Sequence, residues 1–172
     1  MNTATPEFSR IVSLARLGPD GLRQEISATA SEREALARRF ELVSLDRLTA
    51  TVELERRQND TILLCASFEA EFAQECVITL DPVAGAVTER FSLRYGPPEA
   101  EPSNIDQDQE PAFEPLTGEV IDIGEAVAQE FALALPQCPR SPGASVEAEA
   151  ADLLDGGPFA DLSRLFAQDG SE

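Results

Sequence analysis

The chain has 172 residues, 32 acids against 13 bases and a formal charge of -19, with neither histidine nor tryptophan, and every base is an arginine. Without histidine no side chain has an ordinary pKa near neutrality, which excludes histidine-based triads and imidazole metal sites. So acidic a chain is also a poor general ligand for nucleic acid, whose phosphates demand positive surface.

In chain order, Phe8 to Leu17 reads as an irregular strand, and Leu22, Ile26 and Ala28 mark another. Ser31-Glu32-Arg33-Glu34 has the form of a capping box, with Ser31 at the cap and Glu34 reaching back. Leu36, Ala37 and Phe40 then form the apolar stripe of a helix. From Leu48 to Leu54 the even positions are apolar and the odd ones polar, a period of two. The same alternation runs through Ile62, Leu64, Ala66, Phe68, Ala70 and Phe72. Gln58-Asn59-Asp60 lies between them, so the pair is predicted to be a β-hairpin. After a turn placed at Pro82–Gly85, Val87, Phe91, Leu93 and Tyr95 continue the pattern. A second helix starts at Asp122-Ile123-Gly124-Glu125, read as another capping box. It carries Ile123, Val127, Phe131 and Leu135 at spacing four and stops at Pro136. Pro158 to Phe166 suggests a short third helix. The expected class is α+β: one antiparallel sheet, flat or curled toward a barrel, with two or three helices against it.

Charge divides the chain. Residues 1–95 carry a net -4, with six arginines between Arg33 and Arg57, whereas residues 96–172 carry -15. Gly96 to Gly118 has five prolines, six acids and no base, and reads as an extended acidic insertion. The expected organisation is a domain over 1–144 with a flexible acidic insertion at 96–118, an acidic linker over 145–157 and a short helix over 158–168.

Chemistry is sparse. The serines have no histidine or lysine base beside them, and there is no glycine-rich phosphate loop. Glu53/Glu55 and Glu69/Glu71 fall on solvent faces of strands, where carboxylates lack the desolvation that makes general acids. Cys65 sits mid-strand, away from the buried face. Cys76 and Cys138 are isolated, where zinc takes four cysteine or histidine ligands in close pairs. No catalytic residue, cofactor, metal or small-molecule substrate is assigned. The odd cysteine count, the lack of a charged-then-apolar leader in residues 1–10 and the absence of any run of ~18 apolar residues predict a reduced, cytoplasmic protein with no membrane contact.

Glu32-Arg33-x-x-Leu36-Ala37-x-Arg39-Phe40-x-Leu42 and Leu48-x-Ala50, followed by Gln74 to Val83, resemble the YceD family, the large ribosomal RNA subunit accumulation proteins. Ile121 to Glu125, Leu133 to Pro136, Pro139-Arg140-x-Pro142-Gly143-Ala144 and Pro158-Phe159-Ala160-x-Leu162 resemble the C-terminal signature of its alphaproteobacterial branch. The family-motif positions are Cys76, Thr79, Leu80, Pro82, Asp122, Gly124, Glu125, Pro139, Pro142 and Gly143. The resemblance implies a cytoplasmic, non-enzymatic factor for accumulation of the large-subunit 23S ribosomal RNA. Many members carry Cys-x-Arg-Cys at the centre, which suggests zinc; here Ile78 and Thr79 replace Arg-Cys, which points to a metal-free variant.

Two mechanisms fit. Arg33, Arg38, Arg39, Arg47, Arg56 and Arg57, with Arg140 between prolines, could meet ribosomal RNA directly, since a guanidinium suits phosphate and stacks on bases. Alternatively, the acidic half binds a basic ribosomal or assembly protein, as complementary fields favour. A continuous arginine patch free of carboxylates would distinguish the first from the second.

Overall fold

Alternating apolar residues become three long strands. The computed structural model describes residues 6–58, 60–98, 111–116 and 118–145. The elements are β1 (Ile11–Ser13), a 3-10 turn (Leu14–Arg16), β2 (Leu22–Ser27), α1 (Ala30–Arg39), β3 (Ser44–Arg56), β4 (Ile62–Glu75), β5 (Pro82–Gly96), β6 (Ala112–Pro115), β7 (Val120–Asp122) and α2 (Ile123–Ala134). The main sheet has the order β2-β3-β4-β5-β6, and β1 pairs with β7 in a separate two-stranded sheet. The described residues up to Ser141 form one compact unit.

The expected hairpin is β3–β4, with Val52 opposite Ala66 and Leu48 opposite Ala70. Its turn is closed by Thr61, whose buried hydroxyl donates to the Gln58 carbonyl at 2.8 Å. Ile26 of β2 lies opposite Ala50, so the apolar row continues across strands. Both helices cover this one face. Phe131 of α2 stands edge-on to Phe40, Phe68 and Phe72, with centroids 5.9, 6.3 and 5.7 Å away. Phe131 and Leu36 are wholly buried. Burying side chains of this size stabilises by about 1.5–3 kcal/mol each. The opposite face of the sheet carries Thr49, Thr51, Ser67 and Ser92, none of them buried, and Glu69, which is exposed.

Several expectations need correction. The sheet is open, not closed into a barrel, and it is mixed: β6 runs parallel to β5, with Leu93 opposite Ala112. Part of the supposed acidic insertion is therefore a strand, because Phe113 and its neighbours can complete the ladder at the end of β5. Only Ile11–Ser13 of the first apolar segment is extended before the 3-10 turn. Pro82–Gly85 is the start of β5 rather than a turn; the chain reverses at residues 76–81, where Leu80 takes a φ of 63°. α1 begins earlier than the sequence suggested. Thr29 is its cap and Glu32 the reciprocating acid, since Glu32 also meets Arg10 and Ser31 has no such partner. The linker beyond Ser145 and the helix at 158–166 lie outside the described residues.

Candidate interaction surface

The arginines expected to form a patch are mostly engaged within the fold. Arg39 donates to Glu125 at 2.7 and 2.9 Å and to Glu7 at 2.9 Å. Arg47 bridges Glu71 at 2.8 Å and Glu69 at 3.5 Å, and Arg57 pairs with Glu55 at 2.8 Å. Arg33 donates to the Ala28 carbonyl at 2.8 Å. Arg56 holds the 3-10 turn through the carbonyls of Leu14 and Leu17, at 2.7 and 3.3 Å. Arg38 and Arg140 are exposed and have no hydrogen bond or ion pair among the described residues. A groove of about 450 Å³ between α1 and the start of β3 places Arg33 and Arg38 together, but Glu34 and Asp46 line it too. The structure thus scatters the arginines among carboxylates.

The motif Asp122-Ile123-Gly124-Glu125 organises the N-terminal segment. Asp122 caps α2, its Oδ1 accepting from the amides of Gly124 and Glu125 at 3.1 and 3.2 Å. The same oxygen accepts from the Arg10 amide at 2.7 Å, and the Ser9 hydroxyl donates to Oδ2. Three residue types follow from this crossing. Asp supplies an acceptor for several amides at a helix start. Gly leaves room, because a Cβ on Gly124 would stand 2.5 Å from the Phe8 carbonyl oxygen. Glu125 does not reach back to complete a capping box; it turns outward to Arg39. Arg10, which composition alone does not single out, reaches Glu32 at 2.7 and 3.0 Å with both terminal guanidinium nitrogens. That pairing, more than the helix cap, draws the Glu32 carboxyl down to about 2.

Cys76 lies at a closed corner. Its sulfur is wholly buried and accepts the amides of Thr79 at 3.4 Å and Ser141 at 3.3 Å. The amide of Val77 donates to the Pro139 carbonyl at 3.0 Å, so the segment after α2 is laced to the end of β4. The Thr79 hydroxyl first, then the amides of Ser141 and Thr79, hold the Cys76 thiol well below its ordinary value against the opposing effect of burial. These residues do not fit zinc. Cys76 is one thiol where zinc takes four ligands, Thr79 stands where a second thiolate would be required, and Cys138 is exposed. Among the described residues no group of three or more cysteines and carboxylates is placed to hold a metal ion. Pro82 opens β5, and Gly143 takes a φ of +81°. Asp122, Gly124 and Glu125 build the start of α2, while Cys76, Thr79, Leu80 and Pro139 meet at the Cys76 corner.

No helix among the described residues is long and apolar enough to cross a membrane. No curated protein and no solved structure matches the chain. The model of the family described as large ribosomal RNA subunit accumulation protein YceD matches residues 64–158, more than half of the sequence. That span runs from β4 through α2 and includes both the Cys76 corner and the Asp122 cap. The chain therefore belongs to the YceD family, whose description ties it to accumulation of the large-subunit ribosomal RNA and so to ribosome biogenesis.

Proposed function

We propose that the protein acts in the cytoplasm as a non-enzymatic assembly factor, and that it supports 23S ribosomal RNA by binding a basic ribosomal or assembly protein. The observation that carries this is the engagement of the arginines. Arg39, Arg47 and Arg57 are neutralised by five carboxylates, and Arg33 and Arg56 are spent on backbone carbonyls. Arg38 and Arg140 still face outward, but on a chain of net charge -19 the carboxylates left over far outnumber them. Such a field steers and orients a cationic protein but repels free RNA. The test is capture from a lysate with and without RNase, together with titration of naked ribosomal RNA at physiological salt. Capture of a basic ribosomal protein that survives RNase is the expected result. A complex with naked ribosomal RNA that persists at that salt, and is lost on charge reversal at Arg38 and Arg140, would establish direct RNA contact instead.

A further inference from the structure

The two edges of the main sheet are built differently. β2 is short, and its exposed positions include Arg23, Gln24 and Glu25, side chains that discourage a further strand. β5 is long and pairs with β4 from Pro82 to Tyr95 without a register shift. On its other side β6 covers only Leu93–Gly96. Among the described residues, Val83 to Phe91 therefore has one unpaired ladder edge. Its sequence, Val-Ala-Gly-Ala-Val-Thr-Glu-Arg-Phe, has no internal proline and is small and apolar through Val87. The charges that guard an edge, Glu89 and Arg90, are confined to the end next to β6, and Val83–Thr88 has none.

We propose that this β5 edge accepts an extended strand from a basic protein, apolar on the helix-bearing face and lysine- or arginine-rich on the open face. The inference rests on the protein-binding role proposed above and names its surface. Two features set the chemistry of the occupant. On the helix-bearing face, Val83, Val87 and Phe91 are half-buried and only Glu89, opposite Phe68, is charged, so an added strand with apolar residues beside Val83 and Val87 extends the core row. On the open face, Ala86 lies opposite Glu71 and Thr88 opposite Glu69. Those two carboxylates share the guanidinium of Arg47, and Arg90 on the same face makes no ion pair with either among the described residues, which leaves a pair of acids behind the low side chains of Ala86 and Thr88. A lysine or arginine on the incoming strand passes over Ala86 or Thr88 to reach them. A second copy of the chain could form the same ladder, but two bodies of charge -19 repel each other, whereas a cationic strand is drawn in. Backbone hydrogen bonds then supply affinity and the alternating side chains supply selection.

The test uses the full chain and a synthetic peptide of alternating valine and arginine, about eight residues long. Binding should slow amide hydrogen exchange within Val83–Phe91, and the double variant Ala84→Lys/Ala86→Lys should weaken it about tenfold. Both alanines are exposed, so the fold should tolerate the change. The peptide methylated on alternate backbone nitrogens keeps its charge and should not bind. Equal binding by the methylated peptide, protection elsewhere, or full affinity in the double variant would each overturn the proposal. So would a dimer in sedimentation that the double variant dissolves, since that would make the occupant a second copy. If a basic ribosomal protein is captured equally well by wild type and variant, the assembly role stands and the edge does not. If the peptide binds the edge but no ribosomal protein is captured, the edge stands and the assembly role falls.

Discussion

Arg39 near the end of α1 and Glu125 in the first turn of α2 face each other with two nitrogens on two oxygens, at 2.7 and 2.9 Å. This contact joins the two helices over the core, beside the edge-on rings of Phe40 and Phe131. It makes Arg39 a structural residue and separates it from its neighbour Arg38, which points into solvent.

Charge reversal should therefore distinguish the two. Arg39→Glu places a carboxylate against Glu7 and Glu125 and should destabilise by more than the about 1 kcal/mol of an ordinary exposed pair. Arg38→Glu should leave the thermal midpoint within experimental scatter. Equal effects in thermal unfolding would show that the bidentate contact is not formed in solution.

The Cys76 corner makes its own prediction. Cys65 and Cys138 are exposed and Cys76 is buried. Two thiols should react quickly with a water-soluble disulfide reagent under native conditions, and the third only on unfolding, even though its neighbours favour thiolate. Cys76→Ala should lower the melting temperature by several degrees, because the amides of Thr79 and Ser141 lose their acceptor. Three thiols reacting at one fast rate would contradict the closed corner.

Leu80 is a leucine in the left-handed region, with φ 63° and two-thirds of its surface exposed. An L-residue is disfavoured there and glycine is not, so Leu80→Gly should stabilise by about 0.5 kcal/mol after its greater unfolded-state freedom is counted. The denaturant midpoint reads this directly. A fall in the midpoint would mean that the leucine side chain packs against something in solution.

Glu32 predicts an acid limb. Its carboxyl sits at about 2, drawn down first by Arg10 and then by the Thr29 cap, from an ordinary 4.5. A depressed carboxyl contributes stability that is fully present above its unfolded value and is lost as pH falls through its folded value. The loss should thus fall between pH 4.5 and 2. In Glu32→Gln, urea midpoints over that window should decline less steeply than in the wild type. Parallel curves would remove the Arg10–Glu32 pair from the account.

The even-numbered apolar positions of β3 and β4, and the spacing of four in α2, were legible because they report directly which face of each element leaves water. The Asp122 cap was legible for the same local reason. The parallel strand β6 was not, since a short acidic segment with prolines becomes a strand only when β5 offers it a ladder. Thr29 as the true cap of α1 was hidden too: Glu32 is held there by Arg10, distant in sequence. The roles of the arginines lay furthest from view. Composition counted them and suggested a patch, but whether a guanidinium meets a carboxylate, a carbonyl or solvent depends on what folding brings alongside it. Local pattern determined β3, β4 and α2 and their buried faces. Only the tertiary structure decided which charges cancel and which stretch of β5 has no second partner strand among the described residues, because both depend on contacts between residues far apart along the chain.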